Sequence, residues 1–170
     1  THSAPSDRPR RERIGPVSLV LFGWLLPLLR VARKKQLSEA DLLPLWWRDD
    51  VARNVEAATH LWTIVKHLSS NAVAVGDARG LLGAGAGQMD RLTSCRIAIE
   101  KAGTRLAESV GAIATSDAFF PFSDGPETLI NAGVKTIVQP GGSKRDQESI
   151  DLCNERGVTM LFTGKRHFRH

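Results

Sequence analysis

The sequence predicts one α/β domain over residues 58–170, with three layers and helices on both faces of a mixed, mostly parallel sheet. Two observations predict this class. Apolar runs of four or five residues alternate with segments whose apolar residues recur at helical spacing. A short glycine-bounded loop joins the first two runs, which favours a hairpin, whereas helices separate the later runs, which favours parallel pairing.

The first half of this domain is predicted as helix, hairpin and helix. Strands are expected at 72–75 and 81–84, joined by the loop 76–80. Asp90 is placed to cap a helix that runs to about Ala107. The first helix has one apolar face. Its apolar residues are Leu61, Trp62, Val65 and Leu68.

The second half is predicted to alternate strands with helices. The strands are apolar or β-branched runs at 111–115, 134–138 and 158–162. Each helix begins at a polar residue and stops before a glycine. The expected starts are Asp124 before Pro126, and Ser143 with Asp146 as a capping box, and the expected stops are Gly133 and Gly157.

Residues 1–57 are predicted to be an atypical leader that does not pack on the core. The uncharged run 14–29 is shorter than the roughly 20 residues that a membrane span needs, and no small-residue cleavage site follows it. A membrane role is therefore not favoured. The helix-like piece 38–43 is broken by Pro44. An unrelated extension, a truncated and rejoined chain, and a mistranslated start all stay open.

The charge distribution argues against nucleic-acid binding. The chain has a formal net charge of +5, but residues 1–35 alone carry eight Lys/Arg and two Asp/Glu, a net +6. The remainder is close to neutral, without clustered basic and aromatic residues. Cys95 and Cys153 show no pairing pattern, which indicates buried thiols in a reducing cytoplasm.

The loop 116–125 is the strongest candidate for a binding site. It contains three phenylalanines within four positions, a proline and two aspartates. Such residues either plug the end of the sheet or line a pocket for a flat, polar ring. The glycine-rich stretches are weaker signals. The stretch 141–143 before a helix suits an anion, while 83–87 lacks the lysine of a P-loop.

Five motifs occur in one order along the chain, at 69–72, 83–88, 116–125, 139–143 and 166–170. Together they resemble the carboxyl-terminal part of the bifunctional purine biosynthesis family, which joins AICAR transformylase to IMP cyclohydrolase. The resemblance runs from about Trp62 to His170, which is 109 of the 170 residues. It implies a cytidine-deaminase-like fold.

The resemblance implies formyl transfer from 10-formyltetrahydrofolate to the 5-amino group of AICAR, giving FAICAR, in cytoplasmic de novo purine biosynthesis. It also implies a homodimer with a composite active site, and no metal. The amine is a poor nucleophile because its lone pair is delocalised. The site must therefore orient it, remove a proton and stabilise an oxyanion.

Site residues carried over from the family fall into two groups. The AICAR group is Asn71 at the amine and carboxamide, Arg91 at the substrate site, Phe119 on the imidazole and Arg166 on the 5′-phosphate. The folate group is Asp124, Ser143, Lys144 and the backbone of Leu92. Ser123 stands where the family commonly has arginine, and Lys144 with Arg145 makes the next loop more basic.

No catalytic residue is assigned within this chain. The family's catalytic Lys-His pair belongs to an upstream motif, so Lys66 and His67 are interpreted as residues on the surface of a helix. The resemblance implies that this chain contains neither the catalytic pair nor the cyclohydrolase domain. The chain alone is expected to be inactive. Zinc deaminase motifs are missing from the sequence, and His167 with His170 lacks a third ligand. The alternatives are a non-catalytic nucleotide-binding or dimer-completing domain, and a membrane-tethered form.

Overall fold

The computed structural model describes residues 30–31 and 49–170. Six strands form one mixed sheet there. They are β1 Arg30–Val31, β2 Val73–Asp77, β3 Gly80–Gly85, β4 Ile113–Ser116, β5 Thr136–Gln139 and β6 Thr159–Phe162. The helices are α1 Asp49–Lys66, α2 Arg91–Ala102, α3 Thr104–Ala107, α4 Asp124–Asn131 and α5 Asp146–Glu155.

The strand order across the sheet is β1, β6, β5, β4, β2, β3. β4, β5 and β6 pair in parallel, while β2 pairs antiparallel with both β3 and β4, and β1 pairs antiparallel with β6. The predicted hairpin and the predicted parallel part are therefore both present. The sheet is mixed, and its parallel pairing is confined to the three strands joined through helices.

Side chains of successive strand residues alternate between two cores, one on each face of the sheet. Val75 of β2 and Ala114 of β4 pack with Cys95 of α2 and Leu129 of α4. On the opposite face, Ile113 packs with Leu61 of α1. Helices cover both faces, so the predicted three-layer α/β class is confirmed.

The hairpin turn is tighter than predicted. β2 and β3 extend to Asp77 and Gly80, which leaves only Ala78 and Arg79 in the turn. Arg79 pairs with the Asp77 carboxylate at 2.8 Å, and this bond holds the pKa of Asp77 below its ordinary value. The ion pair closes the end of the hairpin.

Helix α2 begins as predicted and ends earlier than predicted. The Asp90 carboxylate accepts from Thr93 N at 2.7 Å, so Asp90 is the N-cap. Gly103 then takes a φ of 56°, a conformation that favours glycine and that stops the helix. The last predicted turn is the separate helix α3.

The predicted boundary between residues 57 and 58 falls inside α1, which begins eight residues before Ala57 and whose Ala57 is buried in the core. The pairing of Arg30–Val31 with Leu161 and Phe162 also ties a second part of the predicted leader to the sheet. The rest of the leader, including the apolar run 14–29, lies outside the described residues. No helix described here is both long and apolar enough to cross a membrane.

Candidate functional site

The loops that carry the predicted site residues meet at one edge of the sheet. β4, β5 and β6 are parallel, so their carboxyl ends share that edge. Val73, at the start of β2, pairs with Ser116 at the end of β4 and with Gly85 at the end of β3. The segment before β2 and the loops after β3, β4, β5 and β6 are therefore neighbours, at the edge where open α/β sheets bind ligands.

Arg91 lies at the centre of a buried polar network on this edge. Only 7% of the residue is exposed. Its Nη1 donates to the Ser116 hydroxyl at 2.7 Å and pairs with the Asp117 carboxylate, while its Nη2 donates to Asn71 Oδ1 at 2.7 Å. The planar guanidinium therefore has one fixed orientation.

The Asn71 amide is oriented by its neighbours. Its Nδ2 donates to the carbonyls of Gln88 and Met89 at 3.0 and 3.2 Å, and its Oδ1 accepts from Arg91. An amide nitrogen carries two N–H groups and an amide oxygen accepts two hydrogen bonds. The remaining capacity of Asn71 is one acceptor position on Oδ1, which suits a ligand N–H.

Asp117 connects the network to the carboxyl-terminal segment. The residue is completely buried, and its Oδ2 accepts from the Ser70 hydroxyl at 2.5 Å. The Ser70 oxygen accepts from Arg169 N at 2.8 Å, and the Asp117 carbonyl accepts from His167 N at 2.8 Å. The segment that carries Arg166 is thus held beside Asn71.

Arg166 is exposed, and its guanidinium carbon lies 4.2 Å from the centroid of the Phe168 ring. Within the part of the chain that the structure describes, it forms no ion pair with a carboxylate. Stacking on an aromatic face leaves the edge of a guanidinium available for an anion.

The three phenylalanines of the predicted aromatic loop have different roles. Phe120 is 1% exposed and plugs the core, and its N–H donates to the Gln139 side chain at 3.0 Å. Phe119 is half-buried, and Phe122 is 50% exposed. The plug interpretation therefore applies to Phe120, and a pocket for a flat ring at Phe119 and Phe122 stays a prediction.

The residues predicted for folate lie on α2 and on the loops after β4 and β5. Leu92 is half-buried on α2 and Asp124 is exposed at the start of α4. Arg145 lies over the Phe122 ring at 4.8 Å, which brings together the loops that carry Asp124 and Lys144. The two groups of predicted residues thus sit on the same edge of the sheet.

The glycine-rich stretches are not open anion cradles. Gly142 N and Ser143 N donate to the Asp146 carboxylate at 2.7 and 3.1 Å, so the chain itself already uses these donors. Gly83 and Gly85 belong to β3, where an added Cβ would collide with the backbone of α2. Their absent side chains allow strand and helix to pack closely. The anion interpretation of 141–143 is corrected by the bonds from Gly142 N and Ser143 N to Asp146.

Lys66 and His67 are exposed at the end of α1, as predicted. The His167 ring lies against the Trp62 ring, with centroids 4.6 Å apart and planes tilted by 53°. Burial lowers the pKa of His167, and the neighbouring Lys66 and Lys165 charges lower it further. His167 therefore favours the neutral form at this position.

Ser70, Ser116, Asp117 and Gln139 are the site residues that the sequence analysis did not assign. All four lie inside the motifs that it singled out. A buried polar residue directly after a predicted buried strand is a usable signal, because such a group needs a partner. The sequence does not indicate which partner, since Asp117 and Arg91 come from different segments.

The chain matches a family model described as AICARFT/IMPCHase bienzyme over residues 29–101. It is 47% identical to the bifunctional purine biosynthesis protein PurH of Lysinibacillus sphaericus over 98% of this chain and 31% of that protein. It is 43% identical to PurH of Oceanobacillus iheyensis over 84% of this chain and 28% of that protein. The chain spans about three-tenths of the length of these relatives.

These matches move the start of the resemblance. The sequence analysis placed it near Trp62, but the family model begins at residue 29 and the Lysinibacillus alignment takes in almost the whole chain. Part of the predicted leader is therefore homologous to the same proteins. The signal was missed because residues 36–57 show no clear periodicity.

Proposed function

Because this chain belongs to the AICARFT/IMPCHase bienzyme family, we propose that it binds AICAR at the edge of the sheet formed by Asn71, Arg91, Phe119 and Arg166. The bound nucleotide would accept a formyl group from 10-formyltetrahydrofolate in purine biosynthesis. One observation carries the proposal. The four residues come from four separate segments, and contacts made by Asp117 and its neighbours bring those segments together.

The parts of AICAR fit the chemistry of these groups. The free acceptor position on Asn71 Oδ1 suits the 5-amino or carboxamide N–H of the base. The half-buried Phe119 offers a face on which the imidazole can stack. Arg166 offers a permanently charged planar donor for the phosphate, which can form two parallel hydrogen bonds.

Each of these residues would bind or orient the substrate. A hydrogen-bond acceptor at the amine orients the lone pair of the amine nitrogen. It also stabilises the positive charge that develops on this nitrogen as the C–N bond forms. The proposal assigns final proton removal and oxyanion stabilisation to the Lys-His pair of the family's upstream motif. Folate would lie beside Leu92, Asp124, Ser143 and Lys144, next to the Phe122 and Arg145 contact. A homodimer would complete the site.

Calorimetric titration of the 170-residue chain with AICAR, and with AMP as comparator, tests the proposal. We expect AICAR to bind more tightly than AMP. Asn71→Leu should remove most of that preference, because the isosteric side chain has no acceptor and one hydrogen bond is worth about 0.5–1.5 kcal/mol. Asn154→Leu is the matched control, since Asn154 is exposed near the opposite edge of the sheet.

Two outcomes would contradict the proposal. Absence of AICAR binding would remove it. Equal affinity for AICAR and AMP, unaffected by Asn71→Leu, would favour the alternative of a general nucleotide-binding domain.

A further inference from the structure

We propose that Asp117 is a positioning residue that sets two parts of the AICAR site at once, the Asn71 amide through Arg91 and the Arg166 segment through Ser70. This inference rests on the proposed function, in which Asp117 brings segments together, and it adds a specific effect of Asp117 on two groups that would bind the ligand. Asp117 is completely buried, so it can act only through its neighbours.

The first connection runs from Asp117 through Arg91 to Asn71. The Asp117 Oδ1 pairs with Arg91 Nη1, and Arg91 Nη2 donates to Asn71 Oδ1 at 2.7 Å. The guanidinium is rigid and planar, so fixing Nη1 also fixes the direction of Nη2. The charge of Asp117 thereby determines which lone pair of Asn71 Oδ1 is occupied and which is available to a ligand.

The second connection runs from Asp117 through Ser70 to the carboxyl-terminal segment. A carboxylate only accepts hydrogen bonds, so the Ser70 hydroxyl proton must point to Asp117 Oδ2, 2.5 Å away. The Ser70 oxygen is then free to accept from Arg169 N at 2.8 Å. Backbone bonds of Ser70 N to Arg169 O and of His167 N to Asp117 O complete the attachment, at 2.7 and 2.8 Å.

The chain contains a matched control for this cluster. Asp77 also pairs with an arginine, Arg79, and also accepts from a serine, Ser109, at 2.9 Å. It lies at the opposite end of β2, at the hairpin turn, and the proposed AICAR residues are not there. Substitutions at Asp77 and Ser109 therefore test the same chemistry away from the site.

The test separates the two connections by comparing AICAR with its dephosphorylated riboside in calorimetric titrations of the 170-residue chain. Ser70→Ala removes the two side-chain hydrogen bonds of the second connection, leaves its two backbone bonds in place and keeps the buried ion pair. We expect it to weaken the affinity for AICAR about threefold to tenfold, which is the value of one neutral hydrogen bond. The affinity for the riboside should stay within about twofold of that of the native chain.

Arg91→Lys removes the first connection and keeps the charge. Lysine has no planar fork, so we expect equal losses of about threefold to tenfold for AICAR and riboside. Asp117→Asn should combine both effects, because an amide nitrogen next to Ser70 reverses the direction of that hydrogen bond. Ser109→Ala and Asp77→Asn should change neither affinity.

Amide hydrogen exchange in the ligand-free chain provides a second measurement that does not depend on binding. Ser70→Ala should speed exchange at the His167 and Arg169 amides, whereas Ser109→Ala should not. If the native chain bound no AICAR, the proposed function would fail even with this exchange result intact. If the native chain bound AICAR, but Ser70→Ala weakened the affinity for AICAR and for the riboside equally, or weakened neither, the positioning role would be overturned. The Ser70 and Arg91 variants decide the matter even if Asp117→Asn does not fold.

Discussion

The chemistry of single residues in this chain is decided by what surrounds them. Arg91 and Asp117 form an ion pair with side chains 6% and 0% exposed. Both charged groups also form hydrogen bonds. Arg91 donates to Ser116 and Asn71, and Asp117 accepts from Ser70. Removing one member of such a pair leaves a buried charge without a partner, at a cost of about 3–5 kcal/mol.

The two cysteines are expected to be unreactive in the folded chain. Burial raises the pKa of Cys95 to about 12 and that of Cys153 to about 11, so almost no thiolate exists near neutral pH. Treatment with a thiol reagent at pH 8 should label neither residue before unfolding and both after it. Labelling of Cys95 in the native chain would contradict its position in the core.

His167 is expected to make stability depend on pH. Its folded pKa lies below 6.5, because of burial first and of Lys66 and Lys165 next. The unfolded chain therefore binds more protons near that pH, and stability falls as the pH drops below about 6.5. Asp117 opposes this effect and His67 adds to it.

Denaturant titrations at pH 7.5 and 5.5 measure that dependence. His167→Phe keeps an aromatic ring beside Trp62 and cannot titrate, so it should lose less free energy of unfolding between the two pH values than the native chain. His60→Phe, at an exposed position of α1, is the control and should behave like the native chain. Equal losses in all three proteins would show that His167 titrates as it does in the unfolded chain.

At the scale of elements, the glycines of β3 determine how the sheet and α2 pack. A Cβ at Gly85 would lie 2.8 Å from the Ser94 carbonyl carbon, and one at Gly83 would lie 2.6 Å from Ala102 N. These neighbours are helix backbone, which cannot rotate away. β3 and α2 consequently approach each other more closely than strands with side chains allow.

Gly85→Ala is expected to destabilise the chain by about 1–3 kcal/mol or more, because α2 must move away from the sheet. Gly111→Ala is a suitable control, since the nearest atom to its Cβ would be the Asn54 side-chain oxygen at 3.4 Å. Chemical denaturation of both variants measures the difference. A Gly85 variant as stable as the Gly111 variant would mean that the close contact of β3 and α2 is absent in solution.

The order and type of the elements could be predicted, while several boundaries could not. The cap at Asp90, the helix start at Asp124 and the apolar face of Leu61 and Val65 are local signals, and the structure contains the predicted helices there. The start of α1 at Asp49 was missed because its first turns lack a clear apolar period. Tertiary packing, which the local sequence does not display, decides such ends.

The site could be predicted in part for the same reason. Motifs placed Asn71, Arg91 and the aromatic loop, and the structure brings these segments to one edge. The link through Asp117 depends on pairing of distant segments, which one sequence does not reveal. The bond from Ser143 N to the Asp146 carboxylate is the one that the predicted capping box requires. The second bond to that carboxylate, from Gly142 N, was not indicated by glycine content alone.

At the scale of the whole molecule, our proposal makes this site one part of a larger site. The chain spans about three-tenths of the relatives it matches. In our proposal it supplies the groups that hold the nucleotide, and the groups that move the proton come from elsewhere. Binding and turnover should therefore be separable.

We expect the 170-residue chain to bind AICAR without converting it. A formyltransferase assay with AICAR and 10-formyltetrahydrofolate should show no product above background, because no residue of the described site is placed as the base. Turnover at rates comparable to those of a full-length relative would contradict this expectation. It would direct attention to Lys66 and His67, which lie beside the Arg166 segment.

The most direct test of the central claim compares AICAR with its riboside in calorimetric titrations of the native chain and of Arg166→Ala. The account predicts that the variant loses about 1.5–3 kcal/mol of AICAR affinity, the value of a hydrogen bond to a charged group, and keeps its riboside affinity. Arg156→Ala, at an exposed position beyond α5, should change neither. Equal losses of AICAR and riboside in Arg166→Ala would contradict the account, since they would show that Arg166 supports the fold and does not hold the phosphate.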